Sequence, residues 1–471
     1  MRCNQDRTGR GPSSTRRTFL KASAAALAAA SAPALVPSSV FGANPPSDRI
    51  HVAIIGCGNQ SELDIPAFLG HEDVQVVAVC DVNTASDGYR TPKQFLGRKP
   101  GQELVNAFYA AKRPSGTFKG CDAYSDFRDV LARKDVDAVA IVVPDHWHGL
   151  ITVMAAQAGK DIYCEKPLSL TIRQGQAMVK AVRRHKRILQ TGSHYRSSPA
   201  NRRGCELVRN GRIGRLQRIV ALVAEQNALD PGPGWKPMPV PEGFDYERWL
   251  GPAPSAPYHK DRCLYRFRFN LDYSGGQTTN FGAHSIDVGQ WAMGADDTGP
   301  IEFEDQGSEW PPKGGLFNTA TTVRFRARYA NGVELICKTE KPGFGTRLEG
   351  TEGWVEFGYK GLQTSPESLK TSQIGPNEIR LPVSNPRRKE DASKYYIPDH
   401  VRDFLDCVKS RHDPVEPVEA GHRTASICHL GNIAMLLKRK VRWDPVKEQF
   451  VGDDEAERML ERAMRPPWRL G

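Results

Sequence analysis

The chain has 471 residues, 39% hydrophobic and 25% charged, which suits a soluble globular protein of two or three domains and excludes a disordered or fibrous one. Its formal net charge is +11, but residues 1–43 hold Arg2, Arg7, Arg10, Arg16, Arg17 and Lys21 against Asp6 alone, leaving +6 for the remainder. That charge is scattered with no basic run or interleaved aromatics, so nucleic acid is not expected as a partner.

The N-terminus differs in character from the rest of the chain. Ser14-Thr15-Arg16-Arg17-Thr18-Phe19-Leu20-Lys21 precedes an Ala-rich stretch, Ala22 to Ala34, and a Pro/Ser/Gly segment ending Val40-Phe41-Gly42-Ala43. A charged region, a modest apolar region and small residues make an export signal, and paired arginines before Phe-Leu-Lys make it the twin-arginine type. The sequence therefore predicts handling by the twin-arginine export machinery and a periplasmic or otherwise exported protein. No later stretch reaches about eighteen uninterrupted apolar residues, so no other span is expected.

From Arg49 onward, short β-branched runs alternate with amphipathic pieces. Ile50–Ile55, Val74–Cys80 and Val136–Val143 read as parallel strands buried on both faces. Tyr124–Arg133 and Ile151–Ala158 read as helices between them. Ile162–Cys164 and Ile188–Thr191 read as the last strands of this sheet, separated by a helix over 173–187. The order implies right-handed crossovers and a doubly wound sheet.

Past residue 194 the period changes. Val323, Phe325, Ala327 and Tyr329 alternate with Arg324, Arg326 and Arg328, and Asn331-Gly332 turns the chain into Val333–Ile336. This is an antiparallel hairpin with one wet face. The predicted fold is thus α/β: an N-terminal Rossmann doubly wound parallel sheet over 44–193, and an α+β domain with a mostly antiparallel open sheet over 194–471. Residues 230–260 and 363–396 read as long loops, His400–Ser410 and His422–Leu437 as helices, and the last thirty residues as a tail wrapping the surface.

The first strand runs into Gly56-Cys57-Gly58-Asn59-Gln60-Ser61. A glycine pair lets the backbone turn sharply and approach a pyrophosphate facing the next helix N-terminus. Ser61 stands at the third glycine position, and Pro66 obscures where the helix starts. Asp81 ends the second strand, 23 residues after Gly58, where a carboxylate accepts hydrogen bonds from an adenosine ribose and repels a 2′-phosphate. NAD is therefore favoured over NADP. The ten cysteines show no CxxC pair or metal-ligand spacing, so free thiols and no metal site are expected. His146 and His148 have a metal-like spacing, but Trp147 between them suggests a loop packed on the cofactor.

Three further motifs stand at strand ends and in the second domain: Pro144-Asp145-His146-Trp147-His148, Cys164-Glu165-Lys166-Pro167-Leu168, and Gly275-Gly276-Gln277-Thr278-Thr279-Asn280-Phe281-Gly282-Ala283-His284-Ser285-Ile286-Asp287. Together they resemble the glucose-fructose oxidoreductase, inositol dehydrogenase and MocA (Gfo/Idh/MocA) family, from about residue 49 to the C-terminus. The closing Trp443-Asp444-Pro445 through Pro466-Pro467-Trp468 resembles its exported bacterial branch. The resemblance implies Lys166 near the nicotinamide, bonding the reacting hydroxyl, and His284 as acid/base. It implies Gly56, Gly58, Asn59, Gln60, Asp81, Pro144, His148, Glu165 and Lys166 as the cofactor's surroundings. Tyr195, Arg196, Asn280 and Asp287 are the candidate substrate contacts, with Arg196 equally open to pairing with a carboxylate. An imidazole that titrates near neutral pH can take the hydroxyl proton while an ammonium steadies the alkoxide.

The family commonly has Asp four residues before this His, and this chain has Asn280, which can orient the ring but lends it no charge. The implied function is NAD(P)-dependent oxidation of a sugar or polyol hydroxyl, with tightly held cofactor. Two alternatives stay open: a redox-neutral glycosidase or lyase working by transient oxidation and elimination, and a non-catalytic sugar-binding protein. One face of the second sheet is open to pairing in a homo-oligomer, as the family often does.

Overall fold

The computed structural model describes residues 48–226, 231–358, 360–385 and 396–470. The chain divides into Met1–Arg49 and Ile50–Gly471; the export-signal reading lies outside the described residues. Among those residues, no helix is long and apolar enough to cross a membrane.

The first half is built in βα order: β1 (Ile50–Ile55), α1 (Ser61–Leu69), β2 (Val74–Cys80), α2 (Arg98–Ala111), β3 (Asp122–Tyr124), α3 (Phe127–Leu131), β4 (Ala138–Ile141), α4 (Asp145–Gln157), β5 (Asp161–Cys164), α5 (Ile172–Arg184) and β6 (Leu189–Thr191). The six strands form one parallel sheet in the order β3-β2-β1-β4-β5-β6. This is the doubly wound order, with its switch point between β1 and β4. β1 and β4 are almost wholly buried, as their predominance of Ile, Val and Ala requires. The expected helix over 124–133 is split: β3 takes Tyr124, and Asp126 caps α3 by accepting the Arg128 N–H. Helix α1 runs through Pro66, which supplies the carbonyl that accepts the Gly70 N–H at 3.0 Å.

The second half adds α6 (Pro199–Arg209), β7 (Leu216–Val223), α7 (Tyr246–Leu250), α8 (Gln277–Asn280), α9 (Gly282–Met293), β8 (Glu302–Asp305), β9 (Arg324–Arg328), β10 (Glu334–Thr339), β11 (Phe344–Gly350), β12 (Trp354–Gly358) and β13 (Gln363–Ser365). It closes with α10 (Ile397–Ser410), α11 (Val418–Leu437), β14 (Val441–Asp444), β15 (Gln449–Phe450) and α12 (Asp454–Glu457). Nine strands form a sheet ordered β13-β12-β11-β7-β10-β9-β8-β14-β15, in which only β7 and β10 pair parallel. Strands β9 and β10 form the hairpin, with Phe325 and Ala327 turned to the core and the arginines to the open face. Helices α9 and α11 cover the buried face, bringing Ile286, Trp291 and Leu430 onto Phe325, Leu335 and Leu348.

Three segments differ from the sequence expectation. The 230–260 loop contains α7, and the 363–396 loop contains β13. The C-terminal tail is partly structural, since β14 and β15 extend the second sheet. Helix α10 covers the first sheet rather than the second: Phe404 packs edge-on against Phe68 and Tyr163, with ring centroids 6.4 and 5.9 Å away. That face of the parallel sheet needs apolar cover that the βα units do not complete.

Candidate active site

A cavity of about 330 Å³ opens at the carboxyl ends of the parallel strands, lined from Gly56 and Asp81 at one end to Lys166 and His284 at the other. Ligand crevices in doubly wound sheets lie at this position, outside the switch point. Gly56 makes the turn with φ of +104°, and a Cβ there would stand 2.2 Å from the Val142 carbonyl oxygen, so only glycine fits. Ser61 replaces the third glycine without disturbing the turn because its hydroxyl donates to the Gly58 carbonyl at 2.6 Å. The Asp81 carboxylate accepts the Cys57 N–H at 2.7 Å and the Asn83 N–H at 2.8 Å. Burial raises its pKa, opposed by those two N–H groups. A glycine turn at a helix start, beside a braced carboxylate at the end of β2, has the donor set and the clearance that a dinucleotide needs.

At the other end, the β5 turn presents Glu165 and Lys166. Lys166 Nζ donates to the Asn280 side-chain oxygen at 3.0 Å and to its carbonyl at 3.2 Å. Asn280 in turn donates through Nδ2 to Gln277 at 2.9 Å. Burial pulls the Lys166 pKa down, and Arg268 adds to that fall. Glu165 accepts from the Lys166 backbone N–H at 3.2 Å and pairs with His194 Nε2 at 3.0 Å. Gly192 permits this approach, since a Cβ there would lie 2.4 Å from the Glu165 carboxylate. Asp64 joins Glu165 and His194 in a buried cluster, and burial beside Glu165 holds the Asp64 carboxyl well above the usual range.

His284 sits near the start of α9, edge-on to Tyr195 at 4.6 Å. Its Nδ1 is buried without a hydrogen-bond partner, which leaves Nε2 as the ring nitrogen open to the cavity. Burial, then the charges of Lys166, His194 and His400, push its pKa well below the ordinary imidazole range. The ring is a neutral proton acceptor at physiological pH.

Of the residues singled out from sequence, Gly56, Gly58, Asn59, Gln60, Asp81, Pro144, Glu165, Lys166, Tyr195, Asn280 and His284 share this cavity. Three do not. Both ring nitrogens of His148 face backbone carbonyls, Pro167 and Val143, each at 2.8 Å. Burial opposes its charge, but Cys164, Asp145 and the Pro167 carbonyl outweigh that and lift its pKa to about 10; His148 ties α4 to the β5 turn instead of touching a cofactor. Arg196 and Asp287 meet each other at 2.6 Å, with 1% and 0% of their side chains exposed. Asp296 at 2.8 Å and Glu416 at 3.7 Å complete an ion-pair core below the site. A guanidinium and a carboxylate on facing elements, once buried, satisfy each other before any sugar reaches them. His146 is likewise spoken for, with Nε2 against the Trp249 carbonyl at 2.8 Å.

Other cavity residues were not singled out as site residues, although Asp145 stands in the 144–148 motif and Trp468 in the C-terminal tail. Arg268 rests over the Tyr265 ring at 4.0 Å, and Asp145 accepts from Ser274 at 2.5 Å. Trp468 closes one wall, packed on Trp147 at 4.9 Å and Phe127 at 6.3 Å. For Arg268 the sequence signal was the alternation Arg266-Phe267-Arg268-Phe269.

A doubly wound sheet with a dinucleotide turn, joined through one cleft to an open-faced second sheet, defines a Rossmann-type oxidoreductase. Residues 50–193 match the family model described as an oxidoreductase-family NAD-binding Rossmann fold, and residues 233–470 match the model for the C-terminal α/β domain of the same family. The chain belongs to the Gfo/Idh/MocA family of oxidoreductases. It is 34% identical over 287 residues to levoglucosan dehydrogenase of Pseudarthrobacter phenanthrenivorans, covering 58% of this chain and 68% of that one. It is 33% identical over 173 residues to glycosyl hydrolase family 109 protein 2 of Shewanella sp. (strain ANA-3), covering 34% and 35%. Among solved structures, levoglucosan dehydrogenase with NADH and levoglucosan superposes with a TM-score of 0.58 at 19% identity, over 84% of this chain and 99% of that one. Aldose-aldose oxidoreductase from Caulobacter crescentus, complexed with glycerol, gives 0.56 at 19% identity over the same shares.

Proposed function

We propose that the protein is an exported oxidoreductase that uses tightly held NAD to oxidise a secondary hydroxyl of a sugar or polyol. The observation that carries this reading is that Lys166 and His284 face one cavity with the Gly56–Gln60 turn and Asp81. Asp81 would hold the adenosine ribose, the glycine turn the pyrophosphate, and Glu165 with Lys166 the nicotinamide end. Bound NAD supplies the hydride acceptor. Lys166, steadied by two oxygens of Asn280, donates to the substrate oxygen and stabilises the alkoxide as charge develops. His284 Nε2 takes the hydroxyl proton, and its unpartnered Nδ1 keeps the ring ready to give that proton back. The names of levoglucosan dehydrogenase and aldose-aldose oxidoreductase support a carbohydrate substrate, and the Arg16-Arg17 motif supports export.

A second, redox-neutral reading is favoured by the similarity to a glycosyl hydrolase family 109 protein. In it the same groups would oxidise a ring hydroxyl, take the proton from the acidified neighbouring carbon so that the aglycone leaves, let water add across the resulting double bond, and return the hydride to the ketone. Purified holoenzyme presented with aldoses, polyols and aryl glycosides separates the two. Net formation of reduced nicotinamide with a ketone product supports the first, and aglycone release with no net change supports the second. Neither event with any carbohydrate, or no nucleotide bound at all, overturns both.

A further inference from the structure

Among the described residues, Arg268 is a cation in the cavity wall with no carboxylate within ion-pair distance. It lies on the turn Arg266–Phe269, and its carbonyl accepts the Gly276 N–H at 3.0 Å. This ties it to the segment that leads into α8 and Asn280. Its guanidinium rests over the rings of Tyr265 and Phe267, 4.0 and 5.4 Å from their centroids. Arg196 and Arg402, by contrast, meet carboxylates at 2.6 and 2.7 Å. Lys166 bonds only the neutral oxygens of Asn280. Asp145 on the same wall is engaged by Ser274, and its burial raises its pKa toward the neutral acid. The reacting end of the cavity therefore carries Lys166 and Arg268 beside Glu165 and Asp145, of which Glu165 is engaged by His194 and the Lys166 N–H and Asp145 by Ser274, leaving Arg268 without a carboxylate of its own.

Removing a guanidinium from water without a counter-ion is costly. Such a group suits a site whose ligand brings the anion, and the planar fork of arginine matches a carboxylate in bidentate fashion. Resting on the oxidoreductase reading above, we propose that Arg268 is a substrate-binding residue and that the sugar carries a carboxylate, as a hexuronate or an aldonate does. The aromatic bed of Tyr265 and Phe267 fixes the guanidinium plane and leaves its outer edge to the ligand. Its backbone bond to Gly276 ties Arg268 to the segment that leads into Asn280 at the reacting end, which makes the substrate the anion it is proposed to meet.

The test uses holoenzyme with D-glucuronate and D-galacturonate against D-glucose and D-galactose. Calorimetric binding and single-turnover reduction of bound nicotinamide are both recorded. The acids are expected to bind and react about tenfold or more better than their neutral counterparts, the scale of a hydrogen bond to a charged group. R268Q should collapse that ratio mainly through KM, and R268K, which keeps charge without the fork, should retain part of it. Equal or better binding of the neutral sugars by the wild-type protein overturns the proposal. So does an R268Q variant that keeps the ratio and loses its nucleotide, which would give Arg268 to the pyrophosphate. Turnover of neutral sugars alone defeats this inference and leaves the oxidoreductase reading standing. Uronate binding that depends on Arg268 without any turnover does the reverse.

Discussion

The side-chain oxygen of Asn280 accepts from Lys166 Nζ at 3.0 Å, while His284, four residues on, has an unpartnered Nδ1. The residue in the usual Asp position therefore braces the lysine and not the histidine ring. Because the partner is an amide, residue 280 lends no negative charge to Lys166 or His284, and burial lowers both pKa values, opposed at Lys166 by Glu165.

That arrangement sets the pH profile. His284 must be neutral to accept a proton, and its pKa is held well below the ordinary imidazole range. The acid limb of kcat/KM is therefore expected below that range, with activity level through neutrality. Asn280→Asp places a carboxylate beside Lys166, favours both protonated forms and should move the limb to higher pH. A limb in the same place for wild type and variant would assign the proton to another group.

Lys166→Met keeps the length of the side chain and removes its charge. Turnover should drop by about 10²–10³-fold, as for loss of one preorganised electrostatic stabiliser, with nucleotide content retained on the purified protein. Near-normal turnover in rapid-quench measurements would mean that the alkoxide is stabilised elsewhere.

Asp81 serves two backbone donors at once. Asp81→Ser leaves the Cys57 and Asn83 N–H groups without their acceptor, each a loss on the order of 1–3 kcal/mol. It also removes a charge that repels a 2′-phosphate. NAD affinity should fall and the NAD-over-NADP preference should narrow, as read by equilibrium titration of nucleotide-free protein. An unchanged preference would show that the carboxylate serves only the turn.

The buried ion pair below the site predicts a different phenotype. Asp287→Ala leaves Arg196 with Asp296 and Glu416 alone, so the loss is expected at or below the roughly 3–5 kcal/mol of breaking a buried pair outright. The denaturation midpoint should fall accordingly, with little change in the KM of protein that stays folded. A large KM effect at normal stability would restore Arg196 and Asp287 as substrate contacts.

The parallel sheet was legible because its longer strands are runs rich in Ile, Val and Ala, and such runs occur where helices cover both faces. The glycine turn and Asp81 were legible because strand ends of a doubly wound sheet face the ligand crevice, and Glu165-Lys166 because the family resemblance pointed to them. Asp287 misled, and Arg196 stayed open between a sugar and a carboxylate, because periodicity does not say whether two complementary charges have already met each other. Arg268 and Trp468 escaped notice because neither a four-residue alternation nor an aperiodic tail says which side chains three-dimensional packing brings to the cleft. Helix α10 was identified as a helix, but its amphipathic face does not name the sheet that receives it.

The last prediction concerns the C-terminal tail. Arg465 donates to the Gly251 carbonyl at 3.0 Å, and its own N–H bonds the Pro252 carbonyl at 2.9 Å. These bonds anchor the tail to the segment just after α7. Three residues on, Trp468 reaches the first domain, packing on Phe127 and Trp147 with the Arg128 guanidinium 5.4 Å from its ring. Phe127 comes soon after β3 and lines the same cavity as Asp81, so Trp468 walls the end assigned to the adenosine. Each aromatic pair contributes roughly 0.5–1.5 kcal/mol beyond burial, and two pairs plus the anchored backbone hold that wall in place. Trp468→Ala, or truncation after Leu460, should raise the nucleotide release rate about tenfold or more. Protein from either variant should lose its nucleotide on dialysis and regain turnover when NAD is added back, with the Lys166-dependent chemical step unaltered in single turnovers. Release as slow as in the wild type would place the retention of nucleotide in the glycine turn and Asp81 alone.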